Sequence, residues 1–194
     1  MSIKELVKAT RSYRGYDESR AVSKEELLEL VDCARLAASS LNQQPLKFYL
    51  AWEKEEVASI QKLTIWAKRL PDLELPHKGK RPTAFIVICQ DMSVSESLAT
   101  FQKDVGITAQ TMLLAATEMG LGGCMIGSFP ADELKRTLSL KDNIKPLLVV
   151  AIGKPAEEVV IREIGPDEPT GYYRDENDVH YVPKRRLEDI VIHK

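Results

Sequence analysis

Apolar residues along this chain alternate between helical and extended spacing, and polar caps mark where one gives way to the other. Ile3, Leu6 and Val7 share one helical face behind a Ser2–Glu5 capping box, predicting a helix that ends near Thr10. A second box, Ser23 and Glu26, opens a stronger helix whose stripe is Leu27, Leu30, Val31, Ala34 and Ala38. A strand is predicted over Lys47 to Trp52 and a helix over Glu53 to Leu63. From Trp66 to Pro82 the pattern breaks up around Pro71, Pro76, Gly79 and Pro82, which predicts an irregular excursion. The continuous apolar run Ala84 to Cys89 marks a strand buried on both faces.

Ser93 and Glu96 form a third capping box, predicting a long helix from there to Met119 that stops at Gly120. Its second half is apolar nearly all round, so it is expected to be covered on several sides, in part by a second subunit. Leu121 to Ser128 reads as a short strand or a loop, Asp132 to Ser139 as a short helix, and Leu147 to Ile152 as another buried strand. The stretch from Glu163 onward has too little apolar surface for a core element until Leu187, Ile190 and Val191, and is expected to be an arm wrapping a neighbour.

Composition narrows the class without naming it. With 194 residues and a 44% hydrophobic fraction, the chain suits one domain over residues 1–194, with 163–194 as its C-terminal arm. A net charge of −2 gives no general attraction to nucleic acid or to a membrane surface. No run is apolar enough to span a bilayer and no secretion signal is visible, which leaves the cytoplasm as the expected compartment. Cys33, Cys89 and Cys124 are too far apart for a dithiol; Cys33 and Cys89 are expected to be buried free thiols. His77, His180 and His193 lack ligand spacing, which points away from a metal centre. No P-loop and no G-x-S-x-G occurs. Asp175-Glu176-Asn177-Asp178 lacks the glycine and terminal glutamate of a calcium loop and reads as solvated tail.

Four segments carry candidate chemistry. Arg11 and Arg14 flank Ser12 and Tyr13; in a helical or turn conformation both guanidiniums would share one side, where they match a phosphate bidentately. Ser39, Ser40, Asn42 and Gln44 place hydroxyls and amides on a turn closed by Pro45, suited to the planar donors and acceptors of a heterocycle edge. Gly120 to Ser128 follows a helix rather than opening one, so it is no dinucleotide fingerprint, but it offers backbone that a flat ring can approach closely. Lys184-Arg185-Arg186 is a compact basic cluster fenced by apolar residues. Each has an ordinary counterpart: solvated arginines, a helix-terminal turn, a glycine cap, a charged surface run. Taken together they suit a pocket for a phosphorylated flavin.

In that order the four segments resemble the nitroreductase family of FMN-dependent oxidoreductases, over nearly the whole length. Arg11, Ser12 and Arg14 match the family segment that binds the flavin phosphate and pyrimidine edge, although Thr10 stands where another arginine is common. Ser39, Asn42, Gln44 and Pro45 match its polar turn, with Ala38 in place of a leading proline and Leu41 where glycine is frequent. Met125, Ile126, Gly127 and Ser128 match the loop over the flavin ring, and Lys184 and Arg186 the terminal phosphate-binding pair. The resemblance implies an α+β homodimer, a three-layer sandwich with a central, mostly antiparallel sheet between helices and exchanged C-terminal arms. It also implies tightly bound FMN, NAD(P)H as hydride donor, and ping-pong reduction of a small electron-poor acceptor such as a nitro compound or quinone. No catalytic side chain is then required, because the chemistry belongs to flavin N5. His77, Lys78 or Lys80 is a candidate cation near the ring, and Cys124 is expected to be a core or spectator thiol. Three alternatives stay open: a dehalogenase or flavin-consuming enzyme of the same fold, a flavin-binding module without turnover, and a dimeric scaffold without cofactor.

Overall fold

The computed structural model describes residues 1–192; the last two residues of the expected arm, His193 among them, lie outside the described residues. The organising strand is β2 (Ala84–Asp91), buried along almost its whole length. It lies between β1 (Leu46–Ala51) and β4 (Ile144–Gly153), and β4 in turn pairs with β3 (Gly122–Ile126), giving the order β1-β2-β4-β3 with every pair antiparallel. Side chains alternate across this sheet. Ala84, Ile86 and Ile88 join the core under helices α2 (Lys24–Arg35) and α4 (Leu98–Glu118). Phe85, Val87 and Cys89 join the opposite core with Ile60 of α3 (Lys54–Leu63) and Leu134 of α5 (Ala131–Thr137). Each fully buried large aliphatic contributes about 1.5–3 kcal/mol of transfer free energy, so the two apolar faces explain why helices cover both sides of the sheet. The expected α+β three-layer arrangement is what the chain adopts.

The caps at Ser2 and Ser23 form as the sequence predicts, with both reciprocal bonds, at the start of α1 (Ile3–Ala9) and of α2. The third does not. Ser93 donates its backbone N–H and its hydroxyl to Asp91, closing a turn, and α4 begins only after Ser97, whose hydroxyl accepts from the Thr100 backbone. Asp91 sits at the strand end and captures Ser93 before a helix can use it. Within one chain α4 is covered on one side only: Phe101, Ala109, Met112, Leu113 and Ala116 are buried while Ile107 is exposed. Cys33 is half-buried rather than buried. The stretch between α3 and β2 has no helix or strand, as expected, yet it is fastened by Ile65 N–H to the Ser128 carbonyl and by Tyr16 N–H to the Lys80 carbonyl.

The C-terminal stretch departs most from expectation. β5 (Val159–Ile164) pairs in parallel with β7 (His180–Arg185), and β6 (Tyr173–Arg174) pairs antiparallel with β7, so residues up to Arg185 fold onto their own chain. Polar groups make up for the missing apolar surface. Arg174 and Glu157, each 3% exposed, form a buried ion pair, and Asp178 takes the other guanidinium nitrogen. Asp175 accepts the N–H groups of Asn177 and Val179, so the acidic run is a structured turn between β6 and β7 rather than loose tail. Leu187, Ile190, Val191 and Ile192 remain exposed beyond it.

Candidate functional site

The Arg-Ser-Tyr-Arg segment is extended, not helical. Ser12 forms a parallel bridge with Gly123, and Tyr13 N–H donates to the Gly123 carbonyl at 3.0 Å, so the segment lies along the free edge of β3. This explains the paired glycines. A Cβ on Gly122 would lie 2.6 Å from the Tyr13 ring, and one on Gly123 would lie 2.2 Å from the Ala151 carbonyl oxygen. The close approach there is made by Tyr13 and by β4, not by a ligand, which corrects the sequence expectation for this pair. Gly127 is different: a Cβ there would meet nothing within 4 Å.

Arg11, Ser12 and Arg14 nevertheless face one cavity of about 340 Å³, together with Met125 of β3, Gln110 and Leu113 of α4, and Tyr172, His180, Val182 and Lys184. Among the described residues the lining holds three basic side chains, Arg11, Arg14 and Lys184, and no carboxylate. Arg11 Nη2 donates to the Val7 carbonyl at 2.7 Å, but its Nε is buried without a partner among the described residues. Burial also draws the Arg11 pKa below its ordinary value. The Arg14 guanidinium lies 4.6 Å over the Tyr172 ring and 3.4 Å from His180 Nε2. Such a lining is a receptacle for an anion.

The polar turn lies elsewhere. A second cavity of about 200 Å³ is lined by Ser39, Gln44, Leu46, Phe48, Asp104 and Thr108 among others, and it shares no lining residue with the first. The turn is a single 3-10 turn, Ser40–Asn42, with Leu41, Asn42 and Gln44 at φ of +53°, +53° and +51°. Leu41 thus occupies a left-handed conformation that glycine would adopt at no steric cost.

A family model matches residues 7–154 and describes the nitroreductase family. The chain belongs to the nitroreductase family. It is 27% identical over 168 residues to a Methanothermobacter thermautotrophicus protein named as an NADH dehydrogenase/NAD(P)H nitroreductase, spanning 84% of this chain and 83% of that one. It is also 27% identical to a Bacillus subtilis FMN reductase (NADPH), spanning 75% of this chain and 63% of the relative. The crystal structure of a nitroreductase family protein from Clostridium difficile 630 superposes with a TM-score of 0.66 at 26% identity, covering 81% of this chain and 86% of that one.

In this nitroreductase-family chain the remaining sequence candidates distribute as follows. Met125 lines the anion cavity, whereas Ile126 points into the opposite core and Gly127 and Ser128 form the loop beyond β3. Cys124 faces that same core; burial pushes its thiol up to about 11, Arg14 opposing and Glu157 adding, so it is a core thiol as expected. Lys184 lines the cavity, but Arg186 lies past the end of β7 with Glu163 3.9 Å away. His77 faces Asp178 at 3.2 Å, and neither it nor Lys78 nor Lys80 lines the cavity.

Sequence reasoning missed Asp104, Gln110, Glu157, Tyr172 and His180. His180, Val182 and Lys184 alternate along β7 and so share a face, a spacing-of-two signal that was available. His180 is 1% exposed. Burial first, then the Arg14 and Arg174 guanidiniums, push its imidazole down to about 4 against the pull of Asp178. It is therefore neutral near pH 7, and Nε2 can accept from Arg14. The unfolded chain binds this proton more readily than the folded one. Its contribution is complete above pH 6.5 and is lost as pH falls from 6.5 toward 4. The expected loss over that window is about 2–4 kcal/mol. Urea unfolding of ligand-free protein across the window checks it, and His180→Gln is expected to flatten the slope; an unchanged slope would exclude His180 as its source.

Proposed function

We propose that this chain is an FMN-dependent NAD(P)H oxidoreductase that reduces small, electron-poor acceptors, nitro compounds or quinones, by a ping-pong mechanism. Membership of the nitroreductase family makes it an NAD(P)H-dependent oxidoreductase. The observation that carries the FMN reading is the anion cavity, which among the described residues has three basic side chains, no carboxylate, and a buried Arg11 Nε without an acceptor. These residues fit a phosphate. Arg11, Ser12, Arg14 and Lys184 would hold it, and Met125 and the open backbone at Gly127 would border the ring. FMN held there would supply the hydride-transfer chemistry between NAD(P)H and a small electron-poor acceptor. The chain's own part is to fix the anionic end, offer donors and acceptors to the ring edge, and exclude water.

Ser39 and Gln44 line a cavity separate from that of the phosphate residues, and Asn42 lies between them on the same turn. The reading therefore includes a homodimer in which the amide turn of one copy completes the site of the other. Exposed Ile107 on α4 and the apolar stretch Leu187 to Ile192 are the surfaces offered to that partner, so any exchanged arm begins after Arg185.

Anaerobic titration with NADH and with NADPH tests this reading. Purified protein is expected to be yellow, to bleach with at least one nicotinamide, and to recover colour on adding a quinone or nitroaromatic. Binding of FMN without bleaching would leave a non-catalytic module, and colourless protein that ignores added FMN would end the proposal. Within the cavity, Arg14→Ala is expected to weaken FMN binding by about 1.5–3 kcal/mol through loss of a charge-assisted contact. Arg186→Ala is expected to change it by less than about twofold, because its ion pair with Glu163 is exposed. Equal losses from the two variants in fluorescence titrations would overturn this placement.

A further inference from the structure

Asp104 sits on the face of α4 that otherwise packs Phe101, Ala109, Met112, Leu113 and Ala116 into the core, and it is 1% exposed. A carboxylate in such a place is costly unless its lone pairs are filled. They are filled by the polar turn. Oδ2 accepts from Ser39 Oγ at 2.7 Å and from the Ser40 backbone N–H at 2.9 Å, and Oδ1 accepts from Ser40 Oγ at 2.7 Å. Burial alone would raise the Asp104 pKa, but these bonds outweigh it and hold the group below its ordinary value.

The consequence for the serines is stoichiometric. A hydroxyl has one proton, and each of these lies 2.7 Å from an Asp104 oxygen, the Thr100 carbonyl being the longer alternative for Ser40 at 3.4 Å. Ser39 Oγ also accepts the Gln44 backbone N–H at 3.1 Å, so the far end of the turn is tied to the same carboxylate through one intermediary. Between the two ties, three non-glycine residues, Leu41, Asn42 and Gln44, hold left-handed backbone. Such a conformation is sterically disfavoured for a residue with a Cβ, less so for Asn, and persists only where its surroundings impose it. The outward groups that remain are amides. Gln44 Nε2 donates to Asn42 Oδ1 at 3.2 Å, which leaves Asn42 Nδ2 as a donor and Gln44 Oε1 as an acceptor without partners among the described residues.

We propose that Asp104 is a positioning residue for the ring-binding turn, holding both serine hydroxyls inward so that Asn42 and Gln44, not the serines, meet the ligand. This rests on the FMN reading of the site. It assigns Ser39 and Ser40 to the mounting of the turn and makes the donor–acceptor pair of Asn42 and Gln44 its recognition edge.

A double-mutant cycle on FMN affinity tests it, read by flavin fluorescence. Asp104→Ala is expected to weaken binding about tenfold or more, as three bonds to a charged group are lost. Ser39→Ala is expected to weaken binding in the wild-type background but to change it by less than about twofold in the Asp104→Ala background, since the two residues act as one unit. Asn42→Ala is expected to weaken binding in both backgrounds. An equal loss from Ser39→Ala in both would place the serine against the ligand and overturn the proposal. If Asp104→Ala does not fold, Asp104→Asn takes its place; it keeps one acceptor, and an affinity between wild type and Ser39→Ala is expected.

Amide exchange of ligand-free protein separates this proposal from the FMN reading. Asp104→Ala, or Asp104→Asn in its stead, is expected to lose protection at Ser40 and Gln44 while Met112 of α4 keeps it. Unchanged protection at Ser40 and Gln44 would refute the positioning role even if FMN binds. Failure of wild type to bind FMN would refute the flavin reading, with the exchange result still deciding what Asp104 does to the turn.

Discussion

Glu157→Ala is expected to destabilise the protein by about 3–5 kcal/mol, the usual cost of removing one partner from a buried ion pair. Glu157 serves two masters. One oxygen takes Arg174 of β6 and the other takes the Arg14 backbone N–H, so a single carboxylate ties the C-terminal sheet to the segment that lines the anion cavity. Alanine would strand a guanidinium that is 3% exposed, with Asp178 as its remaining partner, and would orphan the Arg14 amide. Against a typical total of about 5–15 kcal/mol, such a loss is a large share of the whole. Glu157→Gln keeps an acceptor for Arg14 and is expected to fall between. Replacing both members, Glu157→Met with Arg174→Met, is expected to recover much of the stability, because no charge is then left buried. Urea unfolding curves decide the matter. A Glu157→Ala midpoint equal to wild type would show that the pair contributes nothing net.

Gly123→Ala is the second large effect, about 3 kcal/mol or more of lost stability from overpacking against groups that cannot move. The added methyl would lie 2.2 Å from the Ala151 carbonyl oxygen and 2.7 Å from Leu113 Cδ2. Backbone of the central sheet blocks one side and a core leucine the other. The damage would spread to the cavity, since Gly123 also accepts the Tyr13 N–H and so fixes the segment bearing Arg11 and Arg14. Gly127→Ala is the matched control. Its methyl would meet nothing within 4 Å, so stability is expected to stay within about 0.5 kcal/mol while any ligand lying over that loop loses affinity. Thermal unfolding paired with FMN titration of both variants distinguishes them; comparable unfolding temperatures would contradict the packing argument.

Much of the fold was legible because its signals are local. The Ser2 and Ser23 boxes, the Leu27–Leu30–Ala34 stripe and the apolar run of β2 are each contained in a few neighbouring residues. Local signals also misled. Ser93 had the right spacing for a cap but lost its hydroxyl to Asp91, a competition that spacing alone does not reveal. The tail looked too polar to fold, and it folds through the Glu157–Arg174 pair, whose members stand 17 positions apart and form no local pattern. For the site, the residue types at Arg11, Ser12, Arg14 and Lys184 pointed to an anion before any geometry was known. What selects among them is non-local. Asp104 lies some sixty positions from the serines it fastens, and Glu157 more than a hundred from Arg14. A carboxylate on a mostly apolar helix face was a visible anomaly in the sequence, but its partner was not.

The order in which the walls of the anion cavity occur along the chain has a biosynthetic consequence. Arg11 to Arg14 emerge from the ribosome well before Tyr172, His180, Val182 and Lys184. During most of translation the early arginines have no enclosing surface. On the FMN reading, cofactor capture by this cavity would wait until Lys184 has been synthesised and has left the exit tunnel, making loading a late event in maturation rather than a nucleus around which the nascent chain assembles.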